Sequence, residues 1–207
     1  AVTVKAGSKA EMALPDGTFV HLNAATNLEY DVNNSKQRLV KLSGEAFFDV
    51  AKNPDCPFKV IINDLQIEVV GTSFNVKTYK KDIVETSLLS GRIRISGGSL
   101  PHEYTLSPGQ KATYSAMDKT LRISKADAHV EAGWRDNYLI FESTPLIDVI
   151  AQIERWYGVE IRLHHKQIAQ DLLSGSFRNE SIQNVIRSLS IQYGFKYEIH
   201  KDIITIY

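Results

Sequence analysis

The sequence predicts a mixed fold: an all-β sandwich or short β-solenoid, followed by a small α+β domain that contains two β-α-β repeats. In residues 1–128, short runs of alternating apolar residues are separated by turn residues at spacings of roughly ten residues, which is typical of all-β folds. Near the C-terminus, the stretch Phe141–Leu163 returns without a gap as Phe177–Ile199, 36 residues further on. The predicted domains are therefore 1–128 and 138–207, joined by a polar linker at 129–137.

Turn residues divide the β-rich part into strands. Pro15-Asp16-Gly17 separates two alternating runs, because proline presets the first turn position and glycine accepts a positive φ angle. Similar breaks occur at Ser43-Gly44, Asn63-Asp64, Gly71, Ser90-Gly91 and Pro108-Gly109. No helix-length segment with a period of 3.6 residues occurs in this part. We expect strands throughout, arranged as a sandwich, a barrel or a short solenoid.

Each copy of the repeat predicts one helix between short strands. In the first copy, Ser143 or Thr144 can cap the helix, Pro145 suits its first turn, and Gly158 ends it. The apolar positions of the two helices correspond: Leu146, Val149, Ile150, Ile153 and Tyr157 in the first, and Ile182, Val185, Ile186, Leu189 and Tyr193 in the second, which Gly194 ends. One β-α-β unit cannot cover its own apolar face, whereas two packed copies can. The predicted order is β-α-β-β-α-β-β, and a ferredoxin-like sheet is an alternative arrangement of these elements.

Composition excludes several classes of partner and site. Lys plus Arg and Asp plus Glu both total 24, so the chain has no basic excess and we expect no nucleic-acid partner. The single cysteine, Cys56, excludes an intrachain disulfide and a multi-cysteine metal site. No apolar run reaches the ~18 to 20 residues that a membrane-spanning helix needs. The first residues do not form a signal peptide, so any export or anchoring segment would lie outside this sequence.

No pattern in the sequence predicts catalysis, a metal ion or a cofactor. The nucleophile-elbow, zinc-protease, dinucleotide and phosphate-loop motifs are all absent. His164-His165 would point to opposite faces of a strand and would be poor co-ligands for one metal. Asp16 is explained by its hairpin turn rather than by an acid–base pair with His21. Glu45 and Asp49 are explained as solvent-facing or strand-end carboxylates. We therefore predict no catalytic residue, no metal ligand and no cofactor.

The β-rich part resembles the FecR-type anti-sigma regulators of Gram-negative bacteria, especially those of the Bacteroidetes. Six phrases carry the resemblance in order: LPDGTFVHLNAATNLEYD, RLVKLSGEAFFDVAKN, PFKV, VVGTSFNVKTY, LLSGRIRI and LSPGQKATY. Thr26 stands where the family more often has serine. The later segment GWRDNYLIFESTPLIDVIAQIERWYGVEI is similar to the C-terminal domain of Bacteroidetes members. The doubled β-α-β pattern also resembles the secretin/TonB short N-terminal domain, which is the signalling domain of the outer-membrane transducers.

The resemblance implies one part of an inner-membrane signalling protein. In such proteins a cytoplasmic segment holds an extracytoplasmic-function sigma factor, one helix crosses the membrane, and the periplasmic part receives a signal from a TonB-dependent outer-membrane transducer. The sequence shows neither the cytoplasmic segment nor the helix, so we expect it to be the periplasmic sensor part. A carbohydrate-binding or glycan-processing periplasmic protein is the alternative, and a glycosidase would need paired acids in a cleft. A scaffold without a signalling role is a third reading.

Differences between the two repeat copies predict where a partner binds. Trp156 aligns with Gln192, and Arg155 aligns with Ile191, so the core does not dictate these positions. Trp156 lies at the margin of the apolar stripe, and exposed tryptophans often anchor interfaces. The alternative is that Trp156 packs against the β-rich part or Trp134. A terminal strand can be a sheet edge that accepts a partner strand. The predicted partner-binding residues are Trp156, Ile191, Ile203, Ile204, Thr205, Ile206 and Tyr207.

Overall fold

The computed structural model describes residues 1–33, 37–164 and 166–207, with the backbone only at 166 and 167. These residues form two compact units. The β-rich unit comprises Ala1–Val4 and Lys9–Ala132, and the C-terminal unit comprises Lys5–Ser8 and Gly133–Tyr207. Lys5–Ser8 groups with the C-terminal unit because the amide of Gly7 donates a hydrogen bond to the carbonyl of Arg155 at 2.8 Å. The sequence pattern predicts Lys5–Ser8 in the β-rich part, which is wrong, because no local signal marks this long-range contact.

The described part of the β-rich unit contains fourteen strands and one short helix. They are β1 Val2–Val4, β2 Ala10–Ala13, β3 Phe19–Leu22, β4 Thr26–Asn33, β5 Gln37–Ser43, β6 Glu45–Asp49, β7 Phe58–Ile62, β8 Leu65–Val69, β9 Ser73–Lys77, β10 Ile83–Ser90, β11 Ile93–Gly97, β12 Tyr104–Leu106, β13 Gln110–Ser115, β14 Thr120–Lys125 and α1 Ala128–Ala132. The breaks between strands fall at the predicted turn residues. Gly44 shows why: its φ angle is +118°, and a Cβ there would lie 2.4 Å from the Thr26 hydroxyl.

The strands of the β-rich unit form two seven-stranded sheets. Their orders are β1-β4-β5-β7-β8-β11-β12 and β14-β13-β10-β9-β6-β3-β2. The described pairs are antiparallel except β5 with β7, which are parallel. Alternate residues of both sheets are buried in one core, and Val40, Phe48, Phe58 and Phe74 are inaccessible to solvent. Two sheets that share one core form a sandwich, which is one of the three arrangements that the sequence pattern allows.

The stretch that the sequence predicts as an irregular polar linker is largely helical. Helix α1 is followed by a 3-10 helix at Gly133–Asp136. Asp127 begins α1, because its Oδ1 accepts a hydrogen bond from the amide of His129 at 2.8 Å. Trp134 is buried. The polar composition hid an aspartate helix start, which is a recognised capping signal.

The C-terminal unit alternates strands with two twelve-residue helices. Its elements are β15 Tyr138–Pro145, α2 Leu146–Tyr157, β16 Glu160–Leu163, a 3-10 helix at Lys166–Gln170, β17 Leu172–Arg178, α3 Ile182–Tyr193, β18 Tyr197–His200 and β19 Ile203–Ile206. The predicted apolar faces of both helices are turned inward, where Val149, Ile153, Val185 and Leu189 are fully or almost fully buried. None of the helices in the described residues is long and apolar enough to span a bilayer.

The two helices end alike but begin differently. Gly158 and Gly194 both adopt left-handed φ angles, and their amides donate to the carbonyls of Glu154 and Ser190 at 2.8 Å. Ser181 caps α3 by accepting a hydrogen bond from the amide of Asn184. The expected cap of α2 by Ser143 or Thr144 is wrong, because both residues still belong to β15 and no side chain caps this helix.

Two small sheets complete the C-terminal unit. Strands β15 and β17 pair antiparallel, and a second sheet has the order β16-β19-β18. In that second sheet β19 pairs parallel with β16 and antiparallel with β18. The core cluster of the unit draws on the helices and on both sheets.

Candidate partner-binding site

Glu45 was expected to be a solvent-facing or strand-end carboxylate; it does begin β6, but it does not face solvent. The first four residues of β6 are buried, so side chains on both faces of this strand are covered, and β6 lies between β9 and β3 in its sheet. Glu45 is only 7% exposed, and its two carboxylate oxygens accept hydrogen bonds from the Nδ2 atoms of Asn23 and Asn75 at 2.8 and 2.9 Å. Its two oxygens are therefore engaged in holding the sheet together. Asp49, by contrast, is exposed as expected.

Asp16 lies in its predicted hairpin turn, but it also belongs to a buried ion pair. Its oxygens accept hydrogen bonds from the backbone amide and the hydroxyl of Thr18 at 3.0 and 2.8 Å. Its Oδ2 lies 3.1 Å from Nη1 of Arg38, and the two side chains are 4% and 0% exposed. This pair was not predicted, because a charged residue is rarely fully buried and its partner lies 22 residues away in the chain.

Arg38 also ties down the loop that follows β6. Its guanidinium donates to the backbone carbonyls of Ala51, Asn53 and Cys56 at distances of 2.6 to 3.2 Å. The carbonyl of Cys56 is therefore part of this structural network, although the structure assigns no role to its thiol. Removing Arg38 would leave the buried Asp16 carboxylate with only its bonds from Thr18, and would remove a donor from each of three backbone carbonyls.

The histidines do not assemble a metal site in the described structure. No group of three or more His, Cys, Asp or Glu residues lies close enough to hold a metal ion within the residues described. His164 is exposed, and its ring centroid lies 5.3 Å from that of Tyr207. His165 lies outside the described residues. His21 contacts Glu11 at 3.1 Å.

The last strand is not the open sheet edge that the sequence analysis expected. β19 is the central strand of its sheet, with β16 on one side and β18 on the other. A strand at the end of the chain can still be inserted between two others, as the parallel pairing with β16 shows. Both edges of β19 are therefore already paired with strands of the same unit. Ile204 and Ile206 are buried, Ile203 and Thr205 are half-buried, and Tyr207, just beyond the strand, is 44% exposed.

Trp156 and Ile191 occupy different environments near the ends of α2 and α3. Trp156 is half-buried and packs against the core of the C-terminal unit. Ile191 is 75% exposed, far more than a large apolar side chain on a core helix usually is. Trp156 and Ile191, which differ from their counterparts in the other repeat copy, are therefore more exposed than the core-facing residues beside them.

Trp156 lines an open pocket in the C-terminal unit. The pocket has a volume of about 300 Å³. It lies where the last turn of α2 meets the start of β15 and the end of β17. Its lining residues are Asn137, Leu139, Trp156, Tyr157, Phe177, Asn179 and Glu180. Leu139 is buried, while both asparagines and Glu180 are exposed. Three aromatic side chains, two amides and one carboxylate thus border the same space.

Hydrogen bonds hold the walls of this pocket in place. The hydroxyl of Tyr157 donates to the backbone carbonyl of Glu180 at 2.9 Å, which links α2 to the loop after β17. Burial, together with the negative charge of Glu180, raises the pKa of Tyr157 to about 12, so its hydroxyl keeps its proton. The amide of Asn179 donates to the carbonyl of Asn137 at 3.3 Å. The pocket is therefore present before any ligand arrives.

Of the pocket residues, only Trp156 is among the predicted partner-binding residues. The repeat contained a usable signal for Tyr157, because its counterpart Tyr193 also bonds a backbone group of the β17 region, accepting from the amide of Ser174 at 2.8 Å. A tyrosine repeated at the end of both helices can have a polar task as well as a core position. Asn179 and Glu180 carry no such signal, since their place in the pocket depends on how β17 pairs with β15.

Comparisons with known proteins agree with this architecture. The FecR protein family matches residues 1–94, and the family described as FecR, C-terminal, matches residues 138–206. No curated protein sequence matches the chain. Two crystal structures, at 1.65 and 2.50 Å resolution, of a protein described as a "putative anti-sigma factor" from Parabacteroides distasonis are similar to it.

The similarity to these two structures extends over the full chain. Each has a TM-score of 0.89 and 30% sequence identity, and the match covers 100% of this chain and 97% of the other. A match of this length at this identity indicates a shared family as well as a shared fold, and it includes both regions that the family comparisons identify. The chain belongs to the FecR family of anti-sigma factors.

Proposed function

We propose that this chain is the periplasmic sensor part of a FecR-type anti-sigma factor, which relays a signal from a TonB-dependent outer-membrane transducer to an extracytoplasmic-function sigma factor. The observation that carries the proposal is that both family regions occur in order, within one full-length structural match to an anti-sigma factor. The sigma factor would be held by a cytoplasmic segment and the chain anchored by a membrane helix, neither of which is among the described residues.

In this proposal the chain acts by binding. A transducer that binds one conformation of the sensor more tightly than another shifts the population toward it, and the shift is transmitted along the chain. The geometry supports a binding role for the C-terminal unit in two ways. Each of β15, β16, β17 and β18 has one side without a described strand partner, and such edges accept partner strands. The unit also has the pre-formed pocket beside Trp156.

The proposal is tested by binding experiments with the separate periplasmic signalling domains of the TonB-dependent transducers from the same cell. The chain is immobilised, each signalling domain is passed over it, and retained domains are measured by calorimetry. We expect one signalling domain to bind saturably and the others to bind at least about tenfold more weakly, a difference of ~1.4 kcal/mol. If no signalling domain binds, or if all bind equally, the proposed relay is wrong.

A further inference from the structure

We propose that the pocket beside Trp156 binds one positively charged side chain, an arginine or a lysine, of a partner protein. A pocket of about 300 Å³ is at the lower limit for small-molecule sites, which span ~300 to 1,000 Å³. It has room for one long side chain or one sugar ring, and not for a nucleotide or another large cofactor. The choice between those two occupants depends on the groups that line it.

The charge of the pocket favours a cation. Among the described residues that line it, Glu180 carries the only full charge, and that charge is negative. Asn184 donates a hydrogen bond to Oε2 of Glu180 at 2.9 Å, and Oε1 has no hydrogen-bond partner among the described residues. The pocket also adjoins the last turn of α2, and the C-terminal end of a helix favours positive charge.

The aromatic side chains favour a cation as well. Trp156, Tyr157 and Phe177 all line the pocket, and a cation placed near aromatic rings gains ~0.5 to 2 kcal/mol. The unit shows this contact elsewhere, where the guanidinium of Arg178 lies 4.9 Å from the ring centroid of Tyr138. Because successive strand residues point to opposite faces, Arg178 and Tyr138 face away from the side on which Phe177 and Leu139 line the pocket.

The open form of the pocket points to a side chain presented by a protein. Its rim residues Asn137, Asn179 and Glu180 are exposed, so a ligand would stay partly in contact with solvent. A side chain that enters from a partner surface leaves its own backbone outside the pocket, where the asparagine amides of the rim can bond it. Any protein could supply this side chain, so the binding of a cation in the pocket can be tested separately from the transducer relay.

The test uses the chain labelled with ¹⁵N and small capped probes. N-acetyl-arginine amide and N-acetyl-lysine amide supply the cation. N-acetyl-citrulline amide has the shape of the arginine probe without its charge. We expect the arginine probe to shift the indole signal of Trp156 saturably, the indole signal of Trp134 to stay fixed, and the citrulline probe to bind at least about fivefold more weakly.

Two variants locate the effect. Glu180→Gln keeps the shape of an exposed side chain and removes its charge, and we expect it to weaken the arginine probe about fivefold. Glu198→Gln is the matched control, because Glu198 is an exposed acid on β18 that does not line the pocket. The Glu198→Gln chain should bind the arginine probe as tightly as the parent chain does. Trp156→Leu should abolish binding, with the remaining amide spectrum as the check on folding.

Any of four results would overturn the inference. The first is equal binding of the arginine and citrulline probes, and the second is binding of N-acetylglucosamine without binding of either cationic probe. The third is tighter binding of free spermidine than of a capped Gly-Arg-Gly peptide, which would replace the protein side chain by a small cation. An absence of any shift at Trp156 with all probes would likewise refute the site, while leaving the transducer experiment unaffected.

Discussion

The two units of the chain are stabilised in different ways. All the buried polar and charged residues of the described structure belong to the β-rich unit: Thr18, Asn23, Thr26, Arg38, Glu45, Thr72, Asn75, Thr86, Ser87 and Ser115. In the described part of the C-terminal unit, the buried side chains are apolar. The β-rich unit therefore depends on charge and hydrogen bonding in its core, whereas the C-terminal unit depends on apolar packing and on the backbone geometry of its repeats.

This difference predicts that the β-rich unit keeps one fixed arrangement, whereas the C-terminal unit accommodates change more easily. A satisfied polar network holds one specific arrangement, because any other arrangement leaves buried polar groups unpaired. An apolar core tolerates change more easily, provided that its volume is kept. The surface positions of the two repeats have diverged at Trp156 and Ile191 while the core positions agree.

Replacing Arg38 by methionine should destabilise the β-rich unit strongly. The variant leaves the Asp16 carboxylate, which is 4% exposed, without its counter-ion. Loss of one partner of a buried ion pair costs roughly 3 to 5 kcal/mol. The free energy of unfolding, measured by urea titration with circular dichroism in the strand region, should fall by that amount.

An exposed ion pair provides the control for Arg38. Arg94 pairs with Glu68 and is 51% exposed, so Arg94→Met should cost no more than about 1 kcal/mol. Adding Asp16→Asn to Arg38→Met should restore part of the loss, because the unpaired charge is then removed. Equal costs for Arg38→Met and Arg94→Met would show that the buried pair does not stabilise the unit.

Alanine at the two glycines that end the repeat helices should give unequal effects. Both glycines adopt left-handed φ angles, which cost alanine ~1 to 2 kcal/mol. At Gly194 a Cβ would meet nothing within 4 Å, but at Gly158 it would lie 3.2 Å from the carbonyl oxygen of Ala6 and 3.3 Å from Cα of Gly7. Gly158→Ala should therefore cost more than Gly194→Ala, by about 1 kcal/mol.

Tryptophan fluorescence during urea unfolding measures the stability of each variant. It reports on the C-terminal unit, because both tryptophans of the chain, Trp134 and Trp156, lie there. The pair of variants tests whether Lys5–Ser8 packs on the end of α2 in solution. If the two alanine variants are equally stable, that segment is not a part of the C-terminal unit.

The stability of the β-rich unit should rise with pH around the pKa of Lys9. Burial lowers this pKa from 10.5 to about 8, against the attraction of Glu45. Between these values the unfolded chain binds a proton that the folded chain lacks, so the free energy of unfolding increases as the pH rises. Because Lys9 is only partly buried, solvent screening limits the gain to ~1 kcal/mol.

Lys9→Met removes the titrating group and provides the control. Urea unfolding of both chains, one pH unit below and one above the Lys9 pKa, should show the parent chain gaining stability relative to the variant. The same pH dependence in both chains would mean that Lys9 is solvated in the folded state.

Much of the fold was predictable from local sequence signals. The turns at Asn63 and Gly109 and the helix ends at Gly158 and Gly194 follow from residues that accept a positive φ angle. The helical faces follow from the 3.6-residue period. Local signals of this kind act within a few residues, so one sequence is enough to read them.

The features that depend on pairing between strands far apart in the sequence could not be predicted. The parallel pairing of β16 with β19 placed the last strand in the centre of its sheet, and no turn or period in the sequence marks that choice. The carboxylate of Glu45 is bonded by Asn23 and Asn75, which lie 22 and 30 residues away in the chain, whereas the alternation rule assumes one solvated face. The pocket shares this limit: Trp156 was found from the repeat, but Glu180 reaches it only through the pairing of β15 with β17.

The central claim is that this FecR-family chain receives its signal through the C-terminal unit, and a spectroscopic titration tests it most directly. The ¹⁵N-labelled chain is titrated with the transducer signalling domain that binds it in the calorimetry, and the change in every amide and indole signal is recorded. We predict saturable shifts concentrated in residues 133–207, including the indole of Trp156. Shifts confined to residues 9–132, with the C-terminal unit and Trp156 unchanged, would contradict the account.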